Sequence, residues 1–312
     1  MLTILDQTYA SFEIIIIDDS PSSSAKNVVM SFRGKFELIG CNVKYQRGSG
    51  DGLPAARNLG ISLCENDFFL FLDDDTLLDS DLLSNLAIFL RETPSALGVQ
   101  PKIVPSVNAL NKGLKEKLKK SFYKVMMLSY YDSNKLSVRR SGTNVLPDIL
   151  TKTIFAQRLS GCCFCCKREV FGELSFDTNL KRWGFMEDLD FSYSVFKLHP
   201  NSLYAVPFSK VVHKDATVGR LSMKLRVYME TTYWSYIFFK DVFEGSVINL
   251  AAFFWALTGS IISVTGTLIN KRKPTIEHWR LVYLIGSYFS ILKHLREIKQ
   301  RNLYFFNKQL NK

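Results

Sequence analysis

The sequence predicts an α/β fold built on a mostly parallel sheet, and three observations carry that prediction. Two unbroken apolar runs, Ile14–Ile17 and Phe68–Leu72, show no alternation, as expected of strands buried on both faces. Each run ends in acids, Asp18-Asp19 in the first case and Asp73-Asp74-Asp75 in the second. Stretches of helical period, Ala55–Leu63 and Asp79–Arg91, follow strand candidates in turn. Unpaired carboxylates are too costly to keep ionised in a core. These acids therefore mark the carboxyl ends of strands, where open α/β sheets place their ligand crevice. Hard oxygen donors there suit magnesium or manganese, usually shared with a phosphate.

Taken in order, Leu2, Leu5 and Tyr9 have helical spacing, and Pro21 to Ser24 read as a turn and helix cap. Val43–Tyr45 is a short strand. Arg47–Pro54 is glycine-rich, and Pro54 suits the first turn of the helix that follows. With Arg57 and Asn58 in that turn the loop can cradle an anion, although a plain surface turn has the same composition. Gly98–Val104 is a further strand. Residues 105–158, with the lysine-rich stretch Lys112–Lys124, read as an insertion or acceptor-side flap. Leu159–Lys167 returns to strand character, and Trp183–Asp190 leads into a helix ending near Leu198. Glu187, Asp188 and Asp190 lie where the helix dipole favours negative charge, which by itself accounts for them. Val211–His213 ends a strand, and a lone histidine there is either structural or a ligand.

Of the six cysteines, Cys162, Cys163, Cys165 and Cys166 form a cluster. Alternate side chains on a strand point to opposite faces, so the cluster cannot wrap one tetrahedral zinc and reads as packing. Nothing resembles a secreted disulfide framework and no signal peptide precedes the first strand, which makes a reducing cytoplasm the expectation.

The motifs EIIIIDDS, PAARNLGI, FFLFLDDDT, SGCCFCCKREVF, WGFMEDLD and VVH, in that order after Gln7-Thr8-Tyr9, resemble family 2 of the glycosyltransferases across about residues 1–214. The resemblance implies the Rossmann-like GT-A fold with helices on both faces of the sheet. It also implies metal-dependent, inverting transfer of a sugar from a nucleotide-diphospho-sugar. Asp18 and Asp19 match the acids that meet the nucleoside, and Arg57 and Asn58 the pair beside the nucleotide. Asp73 and Asp75 match the outer acids of the metal motif, with Asp74 between them at ribose or donor sugar. Asp188, beside Glu187 in the Glu-Asp motif, matches the catalytic base, and His213 a histidine that in some members completes the metal site. Trp183 is placed to pack on a sugar face or in the core. The family also implies a strand ahead of Met1, whose absence would leave unpaired N–H and C=O groups along its neighbour.

The net charge of +11 admits nucleic acid, an anionic membrane surface or anionic small substrates. Much of it lies in the last hundred residues between apolar runs, which favours the membrane; no nucleic-acid module is recognisable. Val247–Ile269 is about as long as a bilayer-spanning helix and uncharged, and Leu281–Leu292 is shorter. Two full crossings would put Lys271–Lys273 opposite the catalytic domain, against the positive-inside rule. A helical hairpin in the cytoplasmic face of the cell membrane is therefore expected over 216–312, with Lys293, His294, Arg296, Lys299 and Arg301 on anionic headgroups. The alternative is a buried helical pair. The acceptor is expected to be a glycan, lipid-linked or protein-linked. The rival to an enzyme is a non-catalytic nucleotide-sugar-binding protein or inactive fragment.

Overall fold

The structure, a computed structural model, describes all residues except 10, 21, 23, 106–112, 215–220, 269–275 and 311–312. Pro21 and Ser23 of the expected cap, Lys112, Ile269 and the basic turn Lys271–Lys273 thus lie outside the described residues. In chain order the first elements are α1 (Leu2–Leu5), β1 (Glu13–Asp18), α2 (Ser24–Leu38), β2 (Asn42–Arg47), α3 (Leu53–Ser62), β3 (Phe68–Leu72), β4 (Thr76–Leu78), α4 (Leu82–Glu92) and β5 (Gly98–Pro105). There follow α5 (Leu114–Val125), β6 (Tyr130–Asp132), β7 (Ser137–Val138), β8 (Asn144–Pro147), β9 (Ile154–Phe155), β10 (Cys163–Lys167), α6 (Val170–Glu173), α7 (Glu187–Leu198) and β11 (Leu203–His213). The chain ends in α8 (Met223–Ile237), a π-helical turn at Phe238–Val242, α9 (Val247–Gly266), α10 (Ile276–Lys293), α11 (Leu295–Lys299) and α12 (Tyr304–Leu310).

Two compact units result. The first comprises Met1–Ala109 and Leu150–Ala216, the second Leu110–Ile149 and Thr217–Lys312. The stretch expected as an insertion, 105–158, therefore contributes its middle to the same unit as the C-terminal helices.

The first unit holds a parallel pair, β1-β2, and a six-stranded sheet of order β3-β10-β5-β11-β4, with β9 on β11. The expectation of a mostly parallel sheet is corrected here, because β10 runs antiparallel to both β3 and β5. Its direction follows from where the chain re-enters: Cys163 pairs with Leu72, so β10 starts at the end of β3 and runs back along it. β4 and β9 are likewise antiparallel to β11, and only β5-β11 is parallel within this sheet. Among the described residues, β1 is paired to β2 alone and β3 to β10 alone, leaving each with one open edge. The amphipathic α4 covers the sheet with Leu82, Leu86 and Leu90, packed against Val99, Cys163 and Cys165. All four clustered cysteines are free and buried, and burial pushes the thiols of Cys162 and Cys165 up to about 12.

The second unit is organised on α8, whose residues from Thr231 to Ile237 are all buried. Trp234 donates through Nε1 to the Ser141 carbonyl at 2.9 Å and packs edge-on against Phe253, which stacks on Phe238 with ring centroids 4.2 Å apart. Gly259 lets α9 close on Met126; a Cβ there would lie 2.6 Å from the Met126 Cβ. The most apolar helix is α9, the one helix among the described residues long and apolar enough to cross a membrane, with mean hydropathy 1.9. Only 17% of its most apolar 18-residue stretch is buried. Burial in this unit thus goes to the mixed α8 and leaves α9 half bare. α10 begins earlier than the apolar run Leu281–Leu292 because Glu277, His278 and Arg280 join its first turns.

Candidate active site

The first unit brings two strand ends and a helix start together. Asp73 continues the β3–β10 ladder by donating its amide to Cys162 O at 3.1 Å. The chain then turns, held by Thr76 Oγ1 on Asp73 O at 2.8 Å, and returns as β4 against the end of β11, where Thr76 pairs with His213. That reversal sets His213 Nε2 3.1 Å from Asp75 Oδ1. One ligand atom from each of Asp73, Asp75 and His213 lies within 4.8 Å of the others. Two carboxylates and an imidazole, all half-buried, form a donor set that fits manganese or magnesium. Asp74, between the two acids, is exposed.

Behind this set lies Arg57, 7% exposed, with its guanidinium among the rings of Phe71, Phe164 and Phe176 at 5.7, 5.7 and 5.4 Å. It holds Glu187 Oε1 at 2.5 Å, Asp73 Oδ1 at 3.4 Å and the Gly161 carbonyl at 2.8 Å. Burial pushes the Asp73 carboxyl up to about 6 against the pull of Arg57 and His213. Burial likewise raises Glu187 to about 8, with Arg57 opposing and Asp188 and Asp73 adding to the rise.

Asp188, in the first turn of α7, is partly exposed. Its Oδ2 accepts from Arg158 Nη2 at 2.5 Å and from the Gly161 amide at 2.7 Å, while Oδ1 accepts the Leu189 amide at 2.7 Å. Gly161 is needed for this approach. A Cβ there would stand 3.1–3.2 Å from Glu187 Oε1, Arg57 Nη2 and Asp188 Cβ.

Residues 1–174 match the family model described as Glycosyl transferase family 2. The chain belongs to Glycosyl transferase family 2. A stretch of 81 residues of this family 2 chain, 26% of its length, is 30% identical to the Staphylococcus aureus poly(ribitol-phosphate) β-N-acetylglucosaminyltransferase TarS, and the match spans 14% of that relative's length. The crystal structure of S. aureus TarS 1–349 has the same fold, with a TM-score of 0.54 at 14% identity over 99% of this chain and 86% of that one. The mannosyltransferase PcManGT from Pyrobaculum calidifontis, solved with GDP-Man and Mn2+, gives 0.53 at 15% identity over 93% and 81%. The fold is thus the GT-A fold in its mixed-sheet form.

Within the family 2 chain, several expected site residues are placed differently from expectation. Arg57 is drawn inward to two carboxylates within its aromatic surround. Asn58 is closed on the backbone of Phe176, donating to its carbonyl at 2.8 Å and accepting its amide at 2.9 Å. Glu187 is 4% exposed, and its Oε2 is buried without a hydrogen bond among the described residues. Asp19 accepts the amides of Gly50 and Gly52 at 2.6 and 2.8 Å, so the glycine loop wraps this carboxylate instead of offering those N–H groups to a phosphate. Asp18 is buried and bonded to Ser20, Tyr45 and Arg47. Burial opposes its ionisation, but these partners together hold it down at about 2. Trp183 is 37% exposed, in the loop leading to α7. Arg158 escaped the sequence reading: a single arginine before a Leu-Ser-Gly turn carries no periodic signal, and its partner lies thirty residues on.

Proposed function

We propose that this chain is an inverting glycosyltransferase. It would move a sugar from a nucleotide-diphospho-sugar to a glycan, lipid-linked or protein-linked acceptor in cell-surface glycoconjugate synthesis, at the cytoplasmic face of the membrane. The observation that carries the reading is the single network joining two sites. The Asp73–Asp75–His213 donor set is tied through Arg57 and Gly161 to the carboxylate of Asp188. Asp73, Asp75 and His213 would hold Mn2+ or Mg2+, which when bound neutralises charge on the leaving diphosphate.

The chain's own residues supply the rest. Asp188 takes the proton from the acceptor hydroxyl as its oxygen bonds to the anomeric carbon, while the electron pair of the broken carbon–oxygen bond leaves with the nucleoside diphosphate. One base acting once inverts the anomeric centre. Arg158 and the Gly161 amide fix Asp188 Oδ2, so the carboxylate is held before the acceptor arrives. Exposed Trp183 and Phe185, on the same loop, offer ring faces for a sugar. The bare, uncharged face of α9 supports a membrane location for the second unit.

Calorimetric titration with nucleoside diphosphates and sugar nucleotides, with and without manganese, tests the donor half. Manganese-dependent binding of a sugar nucleotide is expected, and transfer to water or an acceptor should follow. Binding without any turnover would favour the non-catalytic reading instead.

A further inference from the structure

We infer that α5 lies on an anionic lipid surface, pressing an apolar stripe into it between two rows of lysines. This rests on the membrane location proposed above and extends it to the 110–149 excursion. At 100° per residue, Leu114, Leu118, Phe122 and Val125 fall within an arc of about 80° of this helix. Helices of soluble units turn such a stripe inward, yet Leu114, Leu118 and Val125 are 74%, 62% and 66% exposed. The opposite side of α5 is the side that is held. Tyr123 Oη meets Ser263 Oγ of α9 at 3.0 Å. Arg139 caps the helix end, donating to the carbonyls of Tyr123 at 3.1 Å and Lys124 at 2.6 Å. The stripe therefore faces outward by construction.

Charge selects the occupant. Lys115 and Lys119 border one side of the stripe and Lys117 and Lys124 the other, all exposed, whereas Lys120 turns away to Asp132 at 3.0 Å. Apolar side chains flanked by ammonium groups match the boundary between acyl chains and anionic headgroups. A bare apolar surface is present on α9 as well. Trp255 donates Nε1 to the Val125 carbonyl at 3.0 Å while its indole stays half exposed, a disposition suited to the membrane interface. Beyond it α9 exposes Ile248, Phe254 and Ile262 and carries no charged residue.

The test is flotation of the full chain with phosphatidylcholine vesicles and with vesicles containing about one-third phosphatidylglycerol. The variants are the quadruple exchange Lys115→Gln, Lys117→Gln, Lys119→Gln, Lys124→Gln and, separately, Leu118→Asp. Wild type should float with anionic vesicles, and less so at high salt. At about fivefold per lysine, the quadruple variant should lose at least a hundredfold in affinity for them, with its melting temperature unchanged. Leu118→Asp should weaken binding to both vesicle types about tenfold or more. If wild type binds neither vesicle, the membrane location itself falls and this inference with it. If wild type binds anionic vesicles and both variants bind equally well, the location stands and the role of α5 is overturned. Variants that change the oligomeric state in light scattering, with vesicle binding intact, would overturn it in favour of a protein partner.

Discussion

Arg158 and the amide of Gly161 converge on one oxygen of Asp188, at 2.5 and 2.7 Å, while the other oxygen is taken by the amide at Leu189. The proposed base is thus anchored by three donors, and only one of them is a side chain that substitution can remove.

Arg158→Gln should leave donor affinity within about twofold and lower kcat by about tenfold to a hundredfold, because the carboxylate would lose its fixed orientation. Asp188→Asn should lower kcat by about 10²–10⁴ at unchanged donor affinity. Single-turnover kinetics beside donor titration separates these effects. Normal turnover in Asp188→Asn would remove this residue as the base.

Asp75→Ala should weaken manganese binding, read by the paramagnetic resonance of the free ion, and abolish the manganese dependence of donor binding. His213→Ala should do so more mildly, since two carboxylates remain. An Asp75→Ala chain that holds manganese like the wild type would place the metal elsewhere.

Glu187→Ala would leave the Arg57 guanidinium buried among three aromatic rings with Asp73 as its one remaining carboxylate. A loss of about 3 kcal/mol is expected from denaturant unfolding. Glu187→Gln keeps the shape and a hydrogen-bond acceptor and should cost less. Its pH profile has a definite sign. The Glu187 pKa is raised in the fold to about 8 from its ordinary value of 4.5, so its contribution to stability is full below pH 4.5 and fades as pH rises through 8. The melting temperature of Glu187→Gln should therefore decline less than that of wild type between those limits.

Asp18 gives the opposite slope. Its folded pKa of about 2 lies below the ordinary aspartate value of 3.8, so the stability it contributes is present above pH 3.8 and is lost as pH falls through 2. Asp18→Asn should cost about 1–2 kcal/mol at neutral pH and little near pH 2, in urea titrations at both.

Much of this architecture was readable from side-chain pattern. The runs at Ile14–Ile17 and Phe68–Leu72 became β1 and β3 as expected, but not with both faces covered: Ile14–Ile17 are half-buried, and of the second run only Phe69 is buried. The acids at the end of the second run were readable from its pattern, whereas the grouping of His213 with Asp73 and Asp75 was implied by the family resemblance alone. Strand direction was not readable: CFCCK says strand, but only the point of re-entry beside Leu72 makes β10 antiparallel. Strands of two to four residues, such as β7 and β9, carry no measurable period. The inward turn of Arg57 depends on Phe71, Phe164 and Phe176 from separate parts of the chain, which local composition does not encode.

The second unit is assembled from two stretches separated by much of the first, and this bears on synthesis. Met126 meets Gly259 only after well over a hundred further residues have been made. At ribosomal speeds of about 5–20 residues per second, the 110–149 excursion waits on the order of ten seconds for its covering helices. Throughout that interval Met126 and the carbonyl of Ser141 have no Gly259 or Trp234 to shield them. The nascent chain is therefore at its most vulnerable in mid-translation, where a chaperone or a waiting lipid surface would govern the yield of folded protein.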